Sequence, residues 1–524
     1  MAFFDQKTGY GFYGFYGVAV IAIALGIFIR FINIEGKVYW HDETYTALFS
    51  TGHSRNEAID LIFSNELLSA ADLQTLQQVD PERGVPELLQ RLVEEDPQHP
   101  PLYYLVARWL MGVWDNAVLG SRLAAILFGV LLIPATYWFG LELSGTHLLG
   151  LMGAAIIATS PFHYLYAQEA REYSLWALTT VLSSAALLRS LRRPTLQSWL
   201  MYGLTLVASL YGCLLSILVI GSHCVYGVLQ MRRYGWPIIR NVLSTVAISV
   251  ILFLPWLRVI NDVNAASWTS NPLPLSALAK TWIGHVTRLF FDINFDASTP
   301  LWAVLPVAVL ALGLMGVSLG WALTHGRNSS MFLLFLLGGV TLCAFLLPDL
   351  LIGGRRSSVS RYLIPTYLSL QLIVAWFLAS RLSCQPRARR RVWTAVIAIV
   401  LTAGLTSCYV SSFADTWWHK KNSHHNPAVA RIINAEPGAL LISSNNNVNL
   451  GELMSLSHRF NPEQKILAFN DKQGQLPQVP EGFDTVFIFN ISKRAKKAFR
   501  EDKRYTIEKV YAQGRLDRLL RNVD

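Results

Sequence analysis

The apolar residues of this chain come in continuous blocks rather than at helical or strand spacing. Blocks of about 20 apolar residues are typical of helices that cross a bilayer. Residues 99–115 are also apolar, but Asp115 and Asn116 end that run early, so we expect a helix that lies in the outer interface. The pattern predicts eleven spans, at about 12–32, 119–140, 148–165, 173–190, 198–212, 214–231, 237–256, 301–323, 331–350, 362–381 and 392–413.

Polar stretches divide the chain into two predicted domains. Residues 1–413 form an all-α polytopic membrane domain, whose first outer loop, residues 33–118, carries interfacial helices. Residues 414–524 are hydrophilic and alternate strand-like with helical runs, which predicts a small C-terminal α/β domain. The predicted strands are Leu440–Ser443, Ile466–Phe469 and Thr485–Phe489, and the predicted helices include Pro427–Asn434 and Lys493–Phe499.

Composition and charge agree with a membrane protein. The 524 residues are 52% hydrophobic and only 15% charged, whereas soluble domains carry about 25% charged residues.

Three basic turns, at 189–193, 232–233 and 387–391, place the N-terminus in the cytoplasm and the C-terminal domain outside the cytoplasmic membrane. Residues 33–100 hold 13 acidic and 4 basic residues, so the net charge of +10 is unevenly spread and requires no nucleic-acid partner. The five cysteines lie in or beside spans, which argues against an outer disulfide.

An acidic pair, Asp42-Glu43, follows the first span between aromatic residues. A carboxylate at the membrane surface can accept a proton from an attacking hydroxyl, and the aromatic residues can pack against a sugar or an isoprenoid. The alternative interpretation is a solvated acidic turn beside an interfacial aromatic belt.

Two further stretches on the predicted outer side carry candidate chemistry. His99, just before the interfacial helix, is a candidate base, metal ligand or hydrogen-bond donor to phosphate. The alternative is a solvated loop histidine. Between the third and fourth spans, Glu169, Arg171 and Glu172 lie at membrane depth, where ionic groups are usually paired or functional. The alternative is that these three side chains reach the interface together.

The segment Gly353–Tyr362 is basic and holds no acidic residue. Its arginines, Arg355, Arg356 and Arg361, with three serines and a Gly-Gly pair, suit an anionic head group, because arginine offers planar donor forks to phosphate. The predicted topology places it outside, against the positive-inside trend. The alternative is that the topology is wrong by one span and that this is a cytoplasmic turn.

Two other groups are weaker candidates. One comprises Lys280, His285 and Arg288 in the second outer loop. The other is the basic stretch 419–425, which holds His419, His424 and His425. It either touches a metal ion or, as we interpret it, forms the solvated exit from the last span. The chain has no Walker sequence, no Gly-rich nucleotide loop and no CxxC pair, so nothing indicates a nucleotide substrate.

In this order the motifs resemble those of the GT-C polytopic glycosyltransferases. The resemblance is to the bacterial group that includes the aminoarabinose lipid A transferases and, more distantly, the protein O-mannosyltransferases, over about residues 10–190 and 355–415. The motifs that carry it are Asp42-Glu43, His99-Pro100-Pro101-Leu102, Arg122–Gly129, Ser160–His163, Gln168–Arg171 and Arg361–Pro365.

The resemblance implies transfer of a sugar from a polyprenyl-phosphate donor to an acceptor hydroxyl on a lipid, glycan or protein, with inversion at the anomeric centre. Asp42 is then the catalytic base and Glu43 its helper. No cofactor is required, although a divalent metal ion near His99 or His285 with Glu43 is a further expectation. The implied substrate-binding residues are His99, Gln168, Glu169, Arg171, Tyr173, Arg355, Arg356, Arg361 and Tyr362.

Three other functions fit parts of the pattern. A polysaccharide polymerase or ligase that uses a polyprenyl-diphosphate-linked glycan would carry a similar arginine-rich outer loop. A transporter or flippase of lipid-linked sugars would also hold polar groups in its spans, but such proteins commonly contain repeats, and this sequence has none. A receptor or scaffold would use residues 414–524 for binding.

Overall fold

The computed structural model describes residues 13–260, 267–294, 299–326, 329–446, 448–471 and 476–522. In chain order its helices are α1 (Tyr13–Ile29), α2 (His41–Thr51), α3 (Arg55–Ile62), α4 (Ala70–Thr75), α5 (Val85–Glu95), α6 (Leu102–Trp114), α7 (Ala117–Ser144), α8 (His147–Thr159), α9 (Pro161–Ala167), α10 (Tyr173–Arg192), α11 (Leu196–Gly212), α12 (Ser216–Leu229), α13 (Met231–Tyr234), α14 (Trp236–Leu257), α15 (Leu275–Arg288), α16 (Leu301–His325), α17 (Ser329–Leu351), α18 (Ile364–Cys384), α19 (Arg387–Ser412), α20 (Asn426–Asn434), α21 (Asn449–Ser457) and α22 (Lys493–Glu501). Its strands are β1 (Ser64–Ser69), β2 (Leu440–Ser444), β3 (Lys465–Phe469), β4 (Val486–Phe489), β5 (Tyr505–Tyr511) and β6 (Leu516–Arg521).

The chain folds into two compact units. The membrane unit contains the described residues of Met1–Ile32, Pro97–Tyr103 and Leu123–Ser412. The second unit, here called the sheet unit, contains Asn33–Asp96, Tyr104–Arg122 and the described residues of Phe413–Asp524.

Among the described residues, seven helices are long and apolar enough to cross a membrane, or eight if the bent pair α8 and α9 is one span. This identifies a multi-pass membrane protein. Each of the eleven predicted spans coincides with a helix or with the bent pair, although Phe12, where the first span was expected to begin, lies outside the described residues. Three of these helices, α1, α11 and α12, have only 17, 17 and 14 residues, so the count of eleven stays a prediction.

The bend between α8 and α9 has a local cause. Ser160 leaves the helical conformation (φ −68°, ψ 121°), and Pro161 then begins α9 at a position where its missing N–H is not needed. The two helices meet at 62°. The bend ends α9 early and leaves residues 168–172 as a turn before α10, so the polar residues of this stretch are not helical.

The sheet unit is built on a six-stranded mixed sheet in the order β1-β3-β2-β4-β6-β5. Strand β2 pairs in parallel with both β3 and β4, and the outer pairs are antiparallel. One face packs apolar residues of β2, β3 and β4 against α22, whose Ala495 and Phe499 are buried. The three predicted strands are therefore confirmed as β2, β3 and β4.

The first loop, residues 33–118, contains helices α2 to α6 and also a strand that was not predicted. Its residues Ser64–Ser69 form edge strand β1, which pairs with β3 almost 400 residues later in the chain. Strand β1 is mostly exposed and lacks the alternating apolar pattern by which a half-buried strand is predicted. The sheet unit thus combines residues of the first loop with the C-terminal residues.

Candidate functional site

The acidic pair lies in the first turn of α2. Trp40 precedes the helix with extended backbone (φ −89°, ψ 170°), and its N–H donates to Glu43 Oε2 at 3.2 Å. Carboxylates are favoured at this end of a helix because its unpaired N–H groups carry partial positive charge. Successive helical residues are about 100° apart, so Asp42 and Glu43 point in different directions.

Glu43 is the centre of a buried ion cluster in the sheet unit. Arg122 donates to both of its carboxylate oxygens, from Nε to Oε1 and from Nη2 to Oε2, each at 2.9 Å. Lys420 Nζ donates to Oε2 at 2.8 Å. All three side chains have no solvent exposure. The cluster holds two cations and one anion, so neither cation has a second carboxylate within it.

Arg122 also fixes the backbone that leads into α2. Its two terminal nitrogens donate to the carbonyl oxygens of Ile34, Lys37 and Val38 at 2.7–3.0 Å. All five guanidinium N–H groups therefore have acceptors. This arrangement occupies the Glu43 carboxylate and sets the position of the helix start on which Asp42 lies.

Asp42, in contrast, is half-buried. Its backbone carbonyl accepts a hydrogen bond from Thr46 Oγ1 at 3.2 Å, within α2. Its negative charge contributes to the raised pKa values of Tyr45 and Glu452, for both of which burial is the largest cause. Of the acidic pair, Asp42 is thus the carboxylate with solvent access.

A third carboxylate, Glu452 on α21, was missed by the sequence analysis. It is buried and accepts a hydrogen bond from Ser423 Oγ at 2.8 Å, and Ser423 Oγ accepts one from the His41 N–H at 3.0 Å. His41 Nδ1 lies 3.7 Å from Glu452 Oε1. Burial raises the pKa of Glu452 to about 7, with hydrogen bonds from Ser423 and Asn426 opposing that shift. An acidic residue inside an apolar helical run was the available signal.

The stretch 419–425 is not a solvated exit from the last span, as the sequence suggested. Lys420 and Ser423 are fully buried, because Lys420 pairs with Glu43 and Ser423 bridges His41 to Glu452. The basic composition of the stretch is therefore explained in part by a buried counter-charge that the sequence does not reveal.

In the membrane unit, His99, Arg171 and Glu172 form a compact group. Arg171 Nη2 lies 2.6 Å from His99 Nε2, and Arg171 Nε pairs with Glu172 Oε2 at 3.2 Å. His99 Nε2 is also 3.6 Å from Glu172 Oε1. Arg171 and Glu172 are almost completely buried, whereas His99 is partly exposed. The structure thus joins two candidate stretches separated by about 70 residues.

Tyr173 lies between two arginines. The guanidinium carbons of Arg171 and Arg361 are 5.8 Å and 5.6 Å from the centre of its ring. Arg361 also lies 5.9 Å from the Tyr362 ring, and Tyr166 packs edge-on against Tyr173 at 5.3 Å. We call Arg171, Tyr173, Arg361 and Tyr362 the Tyr173 cluster. It brings together four of the predicted substrate-binding residues around an aromatic surface, at distances compatible with cation–π attraction.

Arg355 and Arg356 do not join this cluster. Arg355 Nε donates to the Trp268 carbonyl at 3.2 Å, and its guanidinium carbon lies 5.1 Å from the Trp268 ring. Arg356 Nη1 pairs with Asp349 Oδ1 at 3.2 Å, and Arg356 Nη2 donates to Ser270 Oγ at 2.9 Å. The three arginines of segment 353–362 therefore serve different neighbours.

Segment 353–362 contains no acidic residue of its own, but Asp349 anchors it from outside. Asp349 lies near the end of α17, a few residues before the segment, and its carboxylate accepts from the N–H groups of Arg356 and Ser357 and from Ser357 Oγ. The side chain is buried. The basic segment is thus anchored by an acid that the sequence analysis assigned to the preceding span.

Gln168 and Glu169 occupy the turn between α9 and α10. The Gln168 amide donates to the carbonyl oxygens of Arg30 and Ile32, and its Oε1 accepts from Tyr164 at 2.7 Å. The Glu169 carbonyl accepts from the Arg171 N–H at 2.6 Å. Gln168 therefore ties the end of α1 to this turn, and its role in substrate binding stays a prediction.

The described residues contain no group of three or more His, Cys, Asp or Glu side chains that could hold a metal ion. His99 lies against the Arg171 guanidinium, whose positive charge opposes a cation there, and His285 Nδ1 is 2.8 Å from the Tyr367 hydroxyl. We derive no step through a metal, and the divalent metal ion stays a prediction.

Comparison with solved structures finds proteins of similar fold along nearly the whole chain. ArnT from Cupriavidus metallidurans bound to undecaprenyl phosphate matches with a TM-score of 0.56 and 12% identity, over 96% of this chain and 98% of ArnT. The apo state of the same protein matches with a TM-score of 0.53 and 11% identity, over 96% and 98%. The resemblance to the GT-C fold drawn from the short motifs is therefore confirmed at the level of fold.

Sequence comparison adds no family. No protein-family model matches the chain, and a search of curated proteins returns no match.

A third structure, the archaeal oligosaccharyltransferase AglB from Archaeoglobus fulgidus in complex with an inhibitory peptide and a dolichol-phosphate, matches with a TM-score of 0.48 and 10% identity, over 97% of this chain and 74% of AglB.

Proposed function

We propose that the protein is a membrane glycosyltransferase that moves a sugar from a polyprenyl-phosphate donor to an acceptor hydroxyl, on the outer face of the cytoplasmic membrane. The observation that carries this proposal is the likeness of fold, along nearly the whole of both chains, to ArnT, whose solved structure holds undecaprenyl phosphate. Because fold alone does not determine chemistry, the proposed roles of individual residues rest on their burial and contacts.

Asp42 is the proposed catalytic base. It is half-buried, whereas Glu43 is buried in ion pairs with Arg122 and Lys420. In the proposed step the acceptor hydroxyl gives its proton to Asp42 as its oxygen bonds to the anomeric carbon. The bond from that carbon to the phosphate oxygen breaks, and the lipid phosphate leaves with the electron pair. This single displacement inverts the anomeric centre.

The proposed role of Glu43 is positional. Its bonds to Arg122 and Lys420 hold the first turn of α2, and the bond from the Trp40 N–H fixes the start of the helix. A base must be held at the reacting centre to act. Glu43 therefore assists Asp42 through the backbone rather than by taking the proton.

The Tyr173 cluster is the proposed contact for the donor phosphate. Arg361 and Arg171 supply planar donor groups, and charge-assisted hydrogen bonds to phosphate are stronger than neutral ones. Glu172 and His99 hold Arg171 in place. Negative charge grows on the phosphate as it leaves, so fixed cations there would lower the barrier. Tyr173 and Tyr362 offer aromatic surface to the isoprenoid or the sugar.

The test uses the full chain reconstituted in liposomes. Radiolabelled polyprenyl-phosphate sugars are supplied one at a time with a membrane extract as the source of acceptor, and product is measured for wild type, Asp42→Asn and Asp60→Asn. Asp60 is an exposed acid on α3 and provides the matched control. We expect Asp42→Asn to lower the rate by about 10²–10⁴-fold, the usual contribution of a general base, and Asp60→Asn to transfer at the wild-type rate.

Three results would contradict the proposal. Full activity of Asp42→Asn removes the proposed base. Consumption only of diphosphate-linked glycans favours a polymerase or ligase. Movement of the intact donor across the membrane without transfer of its sugar favours a flippase.

A further inference from the structure

A cavity of about 960 Å³ lies at the ends of α7 and α10 in the membrane unit. Helix α10 has 20 residues and runs from Tyr173 to Arg192, so at 1.5 Å per residue the cavity is about 30 Å along the helix from the Tyr173 cluster. That distance matches the hydrocarbon thickness of a bilayer. The cavity therefore lies near the membrane face opposite to the Tyr173 cluster.

The polar lining of the cavity is mainly cationic. Arg189, Arg192 and Arg193 from the end of α10 line it, against a single acid, Glu142. Glu142 is buried and already accepts from Arg189 Nη1 at 3.4 Å and Arg192 Nη1 at 3.0 Å. It also accepts from the Trp138 indole N–H at 3.1 Å. Glu142 thus organises the arginines but leaves the lining with excess positive charge.

Two helices begin at the same cavity. His147, the first residue of α8, lines it, as do Thr195 and Ser198 at the start of α11. Thr195 Oγ1 accepts from the Ser198 N–H at 3.3 Å and so caps α11. The start of a helix carries partial positive charge and stabilises an anion. The partial positive charge at these two helix starts adds to the charge of the three arginines in attracting an anion.

The apolar part of the lining indicates what kind of anion would bind. Leu141 and Met201 line the cavity beside Trp138. On α11, whose Ser198 and Met201 line the cavity, Leu196, Leu200 and Leu204 are 76%, 57% and 71% exposed and, spaced four residues apart, form one apolar stripe. An acyl chain can lie along this stripe while its head group occupies the cavity.

We propose that this cavity is a binding site for the phosphate head group of an anionic membrane lipid, in the leaflet opposite to the Tyr173 cluster. Arg192 and Arg193 contact the phosphate, Glu142 holds Arg189 and Arg192 in place, and the leucine stripe of α11 contacts the lipid chain. A free phosphate ion shares the head-group chemistry but makes no use of the stripe. The site does not depend on the proposed transferase activity.

The test is native mass spectrometry of the full chain in detergent, titrated with phosphatidylglycerol. The cavity variant is Arg192→Gln with Arg193→Gln. Its matched control is Arg232→Gln with Arg233→Gln, which removes two charges from another basic turn, at α13, whose residues do not line the cavity. We expect the cavity variant to bind the lipid about tenfold or more weakly, because charge-assisted contacts to phosphate are lost, and the control to bind it as wild type does.

Two additions keep the result decisive. Arg193→Gln alone leaves both ion pairs of Glu142 intact and should still weaken binding, which covers a folding failure of the double variant. Inorganic phosphate is added as a competitor and should fail to displace the lipid at equal concentration. Equal binding by the cavity and control variants overturns the site, and full displacement by inorganic phosphate overturns the assignment to a lipid.

Discussion

Arg122 donates to both carboxylate oxygens of Glu43 at 2.9 Å, although the two residues are 79 positions apart and neither side chain reaches solvent. Lys420, from the C-terminal part of the chain, completes the cluster. The pair therefore joins three distant segments of the sheet unit at the start of α2. A buried charge is costly unless it is paired, so the loss of one member should cost more than an average substitution.

Glu43→Gln should destabilise the sheet unit strongly. It removes the carboxylate charge with which Arg122 and Lys420 both pair, and loss of one partner of a buried pair typically costs about 3–5 kcal/mol. Thermal unfolding in detergent should show a clear decrease in melting temperature. Asp42→Asn, at the preceding residue, should melt close to wild type because Asp42 is half-buried.

Lys420→Met sharpens the same prediction. It leaves the Glu43 carboxylate paired with Arg122 and removes the excess cation, so the cluster becomes neutral. We expect a smaller decrease in melting temperature than for Glu43→Gln. A larger decrease for Lys420→Met would contradict the account of the cluster as one anion shared between two cations.

Arg361→Gln should weaken binding of a polyprenyl-phosphate more than Arg355→Gln. Arg361 lies in the Tyr173 cluster, whereas Arg355 is bonded to the Trp268 carbonyl and stacked on its ring. Loss of a charge-assisted contact should reduce affinity about tenfold or more. A binding assay with a labelled polyprenyl-phosphate measures both variants, and equal losses would place the phosphate contact outside the Tyr173 cluster.

The sequence predicted those elements whose cause is local. A bilayer sets the length of an apolar helix, so each predicted span matched a helix or the bent pair. Strands β2, β3 and β4 are short buried runs bounded by polar residues, so their pattern is also local and predicts them. Strand β1 was missed because its pairing partner is almost 400 residues away.

The site was predicted in its residue types but not in its pairings. Glu43 meets Lys420 across 377 residues, and no spacing rule reveals such a contact. Asp349 was overlooked because it lies at the end of an apolar helix, where it counted as part of the span. Glu452 was overlooked in the same way on α21. An acidic residue inside an apolar run was therefore the sequence feature that could have revealed both buried carboxylates.

Asp349→Asn should loosen the basic segment that Asp349 anchors. The Asp349 carboxylate accepts from two backbone N–H groups and from the side chains of Arg356 and Ser357. Hydrogen bonds that involve a charge contribute about 1.5–3 kcal/mol each, so amide exchange over residues 353–358 should accelerate about tenfold or more. Asp502→Asn, in an exposed pair with Arg504, should leave exchange in this segment unchanged. Unchanged exchange in Asp349→Asn would contradict the anchoring role.

Glu452 should make the stability of the sheet unit depend on pH. Burial raises its pKa from 4.5 to about 7 in the folded chain. Because the folded state binds this proton more tightly than the unfolded state, the stabilising contribution is complete below about pH 4.5 and is lost as the pH rises through about 7. One pKa unit corresponds to about 1.4 kcal/mol, so the loss is at most about 3 kcal/mol.

Glu452→Gln should remove this dependence. Glutamine keeps an acceptor for Ser423 and carries no charge at any pH, while His41, Asp42 and Arg515 remain nearby as in wild type. We expect the melting temperature of the variant, relative to wild type, to rise between pH 5 and pH 8. Glu501→Gln, an exposed pair with Lys497, serves as the control and should follow wild type. If Glu452→Gln also follows wild type across this range, Glu452 does not titrate there, and its bond to Ser423 is purely structural.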